Sequence, residues 1–202
     1  TANKDYRDVI FLTNHDQNRL MSEVGNNVDK AKLAANILFT LPGIPYIYYG
    51  EEIGMKGEKP DEFIREPMLF APEKEDEMRP KWMKPKYSTD KTVEPAMVQI
   101  KEDQSLWNHY SRIISLRKDN RALQYGQFEN SSLSNKSIMA YYRIYNQMRV
   151  LIINNVSATA VTLTKEEKDN ELVNPIFQTS KQTTVKGNKI TVAPYSTIIL
   201  TN

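Results

Sequence analysis

A strand–helix–strand pattern near the start of the chain constrains the fold most. The apolar run Val9–Leu12 predicts a buried strand, and Ile44–Tyr49 predicts a second strand that is short and continuously apolar. Between them, apolar residues recur at helical spacing at Ala31, Ala34, Ala35, Leu38 and Leu41. Pro42–Gly43 ends this helix. The three elements therefore predict a right-handed parallel crossover unit, whose strands need helices over both faces.

The last third of the chain changes from helical spacing to alternation. Apolar side chains alternate over residues 138–145, and Asn146–Gln147 predicts a tight return into Val150–Ile153. Gly187–Asn188 is a hairpin signal. Further short strands are predicted at Val161–Leu163, Leu172–Phe177, Thr183–Val185, Ile190–Val192 and Thr197–Leu200. This spacing is typical of an antiparallel β-sandwich of about 75 residues.

Residues 51–103 separate these two regions and differ from both. Eight of the chain's ten prolines fall between Pro42 and Pro95, and the charged runs of the segment show no clear period. A connection of this length is usually functional or disordered. A helix then follows over Leu106–Leu123. We therefore expect one α/β domain over residues 1–124, with a long loop at 51–103, and a β-sandwich domain over 125–202.

Composition excludes several classes of function. The 202 residues carry a net charge of only +2, which gives no electrostatic footprint for nucleic acid. The chain has no cysteine, so disulfides and thiolate metal sites are excluded. No apolar run approaches the roughly 18 residues of a membrane span. Thr1–Asp5 shows no signal peptide, and we expect the signal of an exported protein to lie upstream of Thr1.

A dense polar cluster follows the first predicted strand. His15, Asp16 and Arg19 place an imidazole, a carboxylate and a guanidinium where the strand meets its loop. In α/β folds, ligands bind at this end of the sheet. The alternative is a simple polar turn in which Asp16 or Asn18 caps the next helix.

Four segments resemble the α-amylase family, glycoside hydrolase family 13. Phe11–Arg19 matches the fourth conserved region of that family, F-x-x-N-H-D-x-x-R. Gly43–Met55 resembles the eighth barrel strand with its loop, and Lys59–Pro67 resembles the segment that follows in maltodextrin-acting bacterial α-amylases. Leu106–Leu123 is similar to the helix that closes the barrel. The resemblance implies the C-terminal part of a (β/α)8 barrel, with strands 7 and 8, followed by the family's all-β domain.

The resemblance also implies a reaction and roles for the polar cluster. Family members hydrolyse α-linked glucans with retention, using a carboxylate nucleophile and a carboxylic general acid. Asp16 corresponds to neither of these, but to a third carboxylate that hydrogen-bonds the hydroxyls of the sugar at the cleaved bond. His15 is expected to donate to the same hydroxyls. Arg19 either orients Asp16 or forms a structural ion pair.

Further substrate contacts are expected from the following loop. Glu51 or Glu52 is expected to face the cleft, with a salt bridge to a neighbouring loop as the alternative. Arg65 lies in the family's substrate-side loop and is expected to contact a sugar beyond the cleavage point. Trp82 either forms a sugar platform or pins the loop down. His109 is expected to be a packed or surface residue.

Tyrosines of the second strand have two interpretations as well. Tyr46, Tyr48 and Tyr49 could stack on sugar rings, but aromatic residues of a buried strand more often pack in the core.

Nothing in the chain matches the motifs of the nucleophile or the general acid. We therefore expect a C-terminal fragment of an α-amylase-like enzyme that is inactive alone. Its expected partners are an α-glucan or maltodextrin substrate and either the N-terminal barrel portion or a second copy of the chain, because two parallel strands cannot close a barrel. No cofactor is identifiable in the chain, and calcium is left open for the full-length protein.

The sequence leaves specificity and location open. Residues 64–67 are most similar to saccharifying α-amylases of Gram-positive bacteria, which predicts a secreted or cell-surface protein, with a cytoplasmic one as the alternative. Oligo-1,6-glucosidases share the Gly43–Met55 pattern and are the second candidate. A third is a non-catalytic module whose sandwich binds glucan or only supports the barrel. A metal-dependent phosphohydrolase is excluded because His109 is the only other histidine.

Overall fold

The computed structural model describes residues 7–202, so the prediction for Thr1–Asp5 lies outside the described residues. The chain divides into two compact units. One contains Lys32–Ile44 and Ile114–Asn202, and the other contains Val9–Ala31 and Pro45–Ile113. The predicted crossover region comprises β1 (Val9–Phe11), α1 (Leu20–Glu23), α2 (Val28–Thr40) and β2 (Ile44–Tyr46).

Strands β1 and β2 pair in a two-stranded sheet. Both are shorter than the predicted strands, and the prediction that they are buried is wrong for the described chain. Val9, Phe11 and Tyr46 are 47%, 45% and 59% exposed. The reason is that the sheet has only these two strands within residues 7–202, so no further strand covers its faces.

The long segment after β2 is folded around a small core of its own. A short 3-10 helix spans Glu51–Ile53, and α3 (Asp61–Ile64) and α4 (Ala96–Gln99) follow. The core residues of the segment are Ile53, Met55, Leu69, Val93 and Ala96. Trp107 packs against this cluster, which ties the segment to the next helix.

The predicted helix Leu106–Leu123 is two helices, α5 (Leu106–Asp119) and α6 (Arg121–Tyr125). Asn120 separates them and has extended backbone angles. Its side chain accepts a hydrogen bond from the Leu123 backbone N–H at 3.1 Å. An Asn at this position offers the backbone an N-cap in place of a continuous helix.

The remaining strands form two antiparallel sheets. One has the order β3-β4-β5-β10-β7 and the other the order β6-β9-β8. Their core draws side chains from both sheets, including Ile138, Leu151 and Ile190. The strands are β3 (Gln127–Asn130), β4 (Ile138–Tyr145), β5 (Met148–Asn155), β6 (Val161–Thr164), β7 (Asn174–Gln178), β8 (Thr184–Lys186), β9 (Lys189–Val192) and β10 (Ser196–Thr201). The fold is therefore the predicted β-sandwich following an α/β region.

Both predicted hairpins of the sandwich are confirmed. Tyr145 pairs with Met148 across residues 146–147. Lys186 pairs with Lys189 across Gly187, whose φ is +59°. Strand β3 has no counterpart among the predicted strands.

Helix α2 packs on the five-stranded sheet through polar side chains. The hydroxyls of Thr40 and Tyr141 lie 2.6 Å apart. Arg143 donates to the Thr40 carbonyl at 2.6 Å, and the Asn36 amide donates to Thr197 Oγ1 at 3.0 Å. These contacts explain why Tyr141 and Arg143 are buried although neither follows the alternation of the apolar core face.

Candidate active site

The loop after β1 is shaped by Asn14. Its side-chain oxygen accepts the Asp16 backbone N–H at 2.8 Å, and its carbonyl accepts the Gln17 N–H at 3.3 Å. Asn readily forms such turns because its side chain mimics a backbone carbonyl. The turn leaves the side chains of His15 and Asp16 66% and 61% exposed.

Three predicted site residues come together at this turn. His15 Nε2 lies 3.3 Å from Asp16 Oδ2, and Arg65 Nη2 lies 3.0 Å from Asp16 Oδ1. Arg65 Nε also donates to the His15 carbonyl at 2.9 Å. An open depression of about 420 Å³ lies against Asp16 and is also lined by Thr13, Asn18 and Lys59. The cluster can therefore offer a carboxylate, an imidazole and a guanidinium to one polar ligand.

Asp61 belongs to the same cluster, although the sequence did not single it out. Its Oδ2 accepts a hydrogen bond from Arg65 Nη2 at 2.7 Å. Its other oxygen accepts from Lys59, and this hydrogen bond, together with the charges of Arg65 and Lys59, lowers the pKa of Asp61. Arg65 is thus held between two carboxylates. The i, i+4 spacing of Asp61 and Arg65 at α3 was the available signal.

Arg19 lies apart from this cluster and is only 2% exposed. Its guanidinium carbon is 4.6 Å from the ring centroids of both Tyr48 and Tyr49, and Nη1 donates to the Tyr49 carbonyl at 2.6 Å. Burial lowers the pKa of Arg19. Within residues 7–202, its Nε and Nη2 have no hydrogen-bond partner. The tyrosine faces supply much of the stabilisation of this buried cation.

Glu51 is also buried, at 5% exposure. Its Oε1 accepts a hydrogen bond from the Tyr110 hydroxyl at 2.8 Å, and its Oε2 accepts one from Thr13 at 3.2 Å. Burial raises the pKa of Glu51 to about 7, even though both hydrogen bonds favour the ionised form. Burial also raises the pKa of the neighbouring Glu52.

The structure therefore brings Asp16, His15 and Arg65 into one exposed group, while Arg19 and Glu51 are separate, buried residues. Tyr48 and Tyr49 are anchored as well as packed. The Tyr48 hydroxyl donates to the Ile64 carbonyl at 3.2 Å, and the Tyr49 hydroxyl donates to the Glu66 carbonyl at 2.9 Å. These bonds fix the segment that carries Arg65.

Glu66 is a structural residue that sequence reasoning missed. It is fully buried, and its carboxylate accepts the backbone N–H groups of Lys86, Tyr87 and Ser88 at 2.6, 3.0 and 2.7 Å. A carboxylate satisfied in this way closes the long loop on itself. Only its place after Arg65 in the motif could have indicated this role.

The other candidates lie elsewhere. Trp82 is 60% exposed and His109 is 1% exposed. A cavity of about 520 Å³ is lined by residues between Glu73 and Asp90 and includes none of the site residues. Among residues 7–202, no group of three or more His, Cys, Asp or Glu side chains could hold a metal ion. No helix in this range has the length and apolar character needed to cross a bilayer.

Comparisons with known proteins agree on one family. A family described as "Alpha amylase, catalytic domain" matches residues 1–126. A second, described as "Alpha-amylase SusG C-terminal domain", matches residues 138–199.

Individual relatives match nearly the whole chain. The chain is 36% identical to Alpha-amylase 3 of Dictyoglomus thermophilum over 98% of its own length and 39% of that protein. It is 32% identical to Alpha-amylase SusG of Bacteroides thetaiotaomicron over 96% of its length and 29% of that protein. The crystal structure of an α-amylase from H. orenii matches with a TM-score of 0.84 and 32% identity, over 98% of this chain and 40% of that one. The chain thus spans about two-fifths or less of these relatives.

Proposed function

This chain belongs to the α-amylase family, and from that premise we propose that it forms part of a retaining α-glucan hydrolase. The substrate bonds are α-1,4-glucosidic bonds of starch and maltodextrin. Convergence of His15, Asp16 and Arg65 in one exposed group at the end of β1 is the observation that carries this proposal.

In this proposal Asp16 is a catalytic residue that contacts the sugar at the cleaved bond. Its carboxylate accepts hydrogen bonds from sugar hydroxyls, and such charge-assisted bonds are stronger than neutral ones. The bonds tighten as the ring flattens toward the oxocarbenium-like transition state. An interaction that strengthens only in the transition state raises the rate of the chemical step.

His15 and Arg65 complete the sugar-facing group. His15 donates to the same hydroxyls as Asp16 accepts from, and Arg65 both contacts substrate and holds Asp16 at 3.0 Å. Arg19 and Glu51 support this sugar-facing group from buried positions. Arg19 keeps the end of β2 against the loop, since it contacts Tyr48 and Tyr49.

The nucleophile and the general acid come from other parts of the protein in this proposal, because no segment of the chain resembles their motifs. The partner that supplies them is the N-terminal portion of the barrel. A second copy of this chain is the alternative only as a cover for the open strands, since it lacks the same motifs. Calcium takes part in no step of this proposal. A secreted or cell-surface location, with a cytoplasmic one as the alternative, is proposed from the resemblance alone, and calcium is left open for the full-length protein.

Bond preference is the open part of the proposal. Oligo-1,6-glucosidase of Bacillus cereus is 30% identical over 74% of this chain and 34% of that protein. Analysis of the products that the full-length protein releases from α-1,4-linked and α-1,6-linked substrates tests the preference. Release of products from α-1,4-linked substrates alone supports the proposed preference for α-1,4-glucosidic bonds.

We further propose that the sandwich supports the α/β region rather than binds glucan. The contacts of Thr40 and Asn36 with sheet residues support this role, because they tie α2 directly to the five-stranded sheet. Glucan binding by the purified 125–202 segment would contradict it.

The decisive experiment is a chimera. This chain replaces the matching 39% of Alpha-amylase 3 of Dictyoglomus thermophilum, and starch hydrolysis is measured. We expect activity, and we expect Asp16→Asn to reduce kcat by at least about a hundredfold, as loss of a transition-state interaction does.

A matched control keeps the chemistry of the substitution and moves it away from the site. Asp119→Asn, at the exposed end of α5, should leave kcat unchanged. A folded chimera without activity, or one in which Asp16→Asn and Asp119→Asn behave alike, contradicts the proposal.

A further inference from the structure

A buried hydrogen-bond chain links three elements near the site. Thr13 lies at the start of the loop that carries Asp16, Glu51 begins the 3-10 helix after β2, and Tyr110 lies on α5. The exposed fractions of these three residues are only 7%, 5% and 1%. The Glu51 carboxylate accepts from both hydroxyls, one on each oxygen.

We propose that Glu51 is a positioning residue for Asp16, because its carboxyl group ties the base of the Asp16 loop to Tyr110 of α5. This inference rests on the proposed function of Asp16. It assigns Glu51 a role through Thr13 instead of a direct contact with the sugar.

The path from Glu51 to Asp16 is short and continuous. The Thr13 hydroxyl donates to Glu51, which holds the Thr13 side chain in place. The side-chain oxygen of the next residue, Asn14, accepts the Asp16 N–H at 2.8 Å. A change at the Thr13 hydroxyl is therefore carried through one residue into the turn that sets the direction of Asp16. The burial of Glu51 argues for this role, since a 5% exposed carboxyl group offers little surface to a ligand.

The Glu51 carboxylate can accept hydrogen bonds from two hydroxyl donors at once. An ionised Glu accepts on both oxygens, whereas a protonated Glu must itself donate from one of them. The charge state of Glu51 thus decides whether Thr13 and Tyr110 can both donate to it. When Glu51 takes up a proton, one of the two bonds must weaken or reverse its direction, so that the Glu51 hydroxyl donates and the partner hydroxyl accepts.

Several groups act on the charge state of Glu51. Burial and, to a smaller extent, the charge of Glu52 raise its pKa, while Tyr110, Thr13 and the charge of Arg19 lower it, and the net pKa is about 7. The proton is therefore exchanged near neutral pH. Reorganisation of the loop should follow the same titration.

Nuclear magnetic resonance of the 202-residue chain tests the coupling directly. The Glu51 side-chain carboxyl carbon and the backbone amides of residues 14–16 are followed between about pH 3 and pH 9. All samples carry His15→Gln, so that the loop signals report on Glu51 without an imidazole beside them. We expect the amides to shift with the same midpoint as Glu51, near pH 7.

Three variants separate coupling from simple packing. Glu51→Gln should abolish the loop titration, and Glu58→Gln, at an exposed position, should leave it intact. Thr13→Val should raise the Glu51 midpoint, since it removes a donor to the carboxylate, and should detach the amides from it. Tyr110→Phe should raise the midpoint and leave the amides coupled.

Two results overturn the proposal. One is a Glu51 that titrates near pH 7 while the amides of residues 14–16 do not follow it. The other is a Glu51 midpoint at the ordinary carboxyl value of 4.5. Neither result depends on catalysis, so failure of the hydrolase proposal in the chimera is distinguished from failure of this one. If Glu51→Gln does not fold, Thr13→Val still decides between the outcomes.

Discussion

Arg65 shows how a single side chain organises the candidate site. It contacts the His15 carbonyl, Asp16 and Asp61 at 2.9, 3.0 and 2.7 Å. Because its side chain is 39% exposed, these ion pairs contribute little to folding stability. Their effect is on geometry, since the planar fork fixes two carboxylates at once.

Arg65→Lys in the chimera should lower kcat/KM for maltodextrin by roughly tenfold, because an ammonium keeps the charge and loses the fork. Steady-state kinetics measure the change. Arg112→Lys is the matched control, since Arg112 bonds only the Asp103 carbonyl in the described chain. Equal kinetics for Arg65→Lys and the parent chimera would remove Arg65 from the site.

Glu51 makes stability depend on pH. Its folded pKa, about 7, lies above the ordinary value of 4.5, so the folded chain binds the extra proton between these values. Its contribution to the free energy of unfolding is therefore greatest below about pH 4.5 and is lost as the pH rises through 7, a change of about 3 kcal/mol.

Thermal unfolding of the 202-residue chain checks this sign. Glu51→Gln has no such titration, so the melting temperature of the wild type relative to Glu51→Gln should fall as the pH rises from 5 to 8. A difference between the two proteins that is constant over this range would show that Glu51 ionises normally.

The sequence indicated some of these residues and not others. Asp16 and His15 stand out because polar residues follow an apolar run abruptly, and Arg65 is found through its motif. Asp61 and Glu66 are not found, because their roles depend on which backbone and side chains the loop brings to them. Local spacing cannot report contacts such as the one between Glu66 and Ser88, 22 residues apart.

At the scale of elements, α2 depends on side chains from distant parts of its own unit. Arg117 donates to the carbonyls of Phe39, Leu41 and Gly43 at 2.7, 3.0 and 2.6 Å. These carbonyls lie at and beyond the end of α2, where the helix itself offers no donors. A cation at a helix C-terminus also interacts favourably with the helix dipole.

Arg117→Met should therefore destabilise the chain by about 3 kcal/mol, because buried carbonyls lose their donors. Urea denaturation measures the change in unfolding free energy. Arg121→Met, whose guanidinium lies over the exposed ring of Tyr125, should change it by less than about 1 kcal/mol. Equal losses in both variants would contradict the assigned role of Arg117.

Elements with strong periodicity were predictable. Helix α2, both tight hairpins and the strands of the sandwich region other than β3 follow from spacing and turn residues. The division of α5 from α6 was not, because the apolar face continues past Asn120 and only the cap reveals the break. The short helices of residues 51–103 were also missed, since four-residue helices carry too little period to detect.

For the whole molecule, the main fact is that the chain spans about 39% of Alpha-amylase 3 and 40% of the α-amylase structure it matches. The exposed apolar residues of β1 and β2 are consistent with this partial coverage of the relatives. A strand of a closed barrel has a neighbour on each side, whereas each strand of a two-stranded sheet has only one. The burial of these strands could not be judged from the spacing of their residues, since it depends on how many strands join the sheet.

Starch hydrolysis by the purified 202-residue chain, measured beside the chimera as release of reducing ends, tests the central claim most directly. The claim is that Asp16 acts only together with two carboxyl groups supplied from outside this sequence. We predict hydrolysis by the chimera and none above the buffer blank for the chain alone. Hydrolysis by the chain alone, or a chimera whose rate Asp16→Asn leaves unchanged, would contradict it.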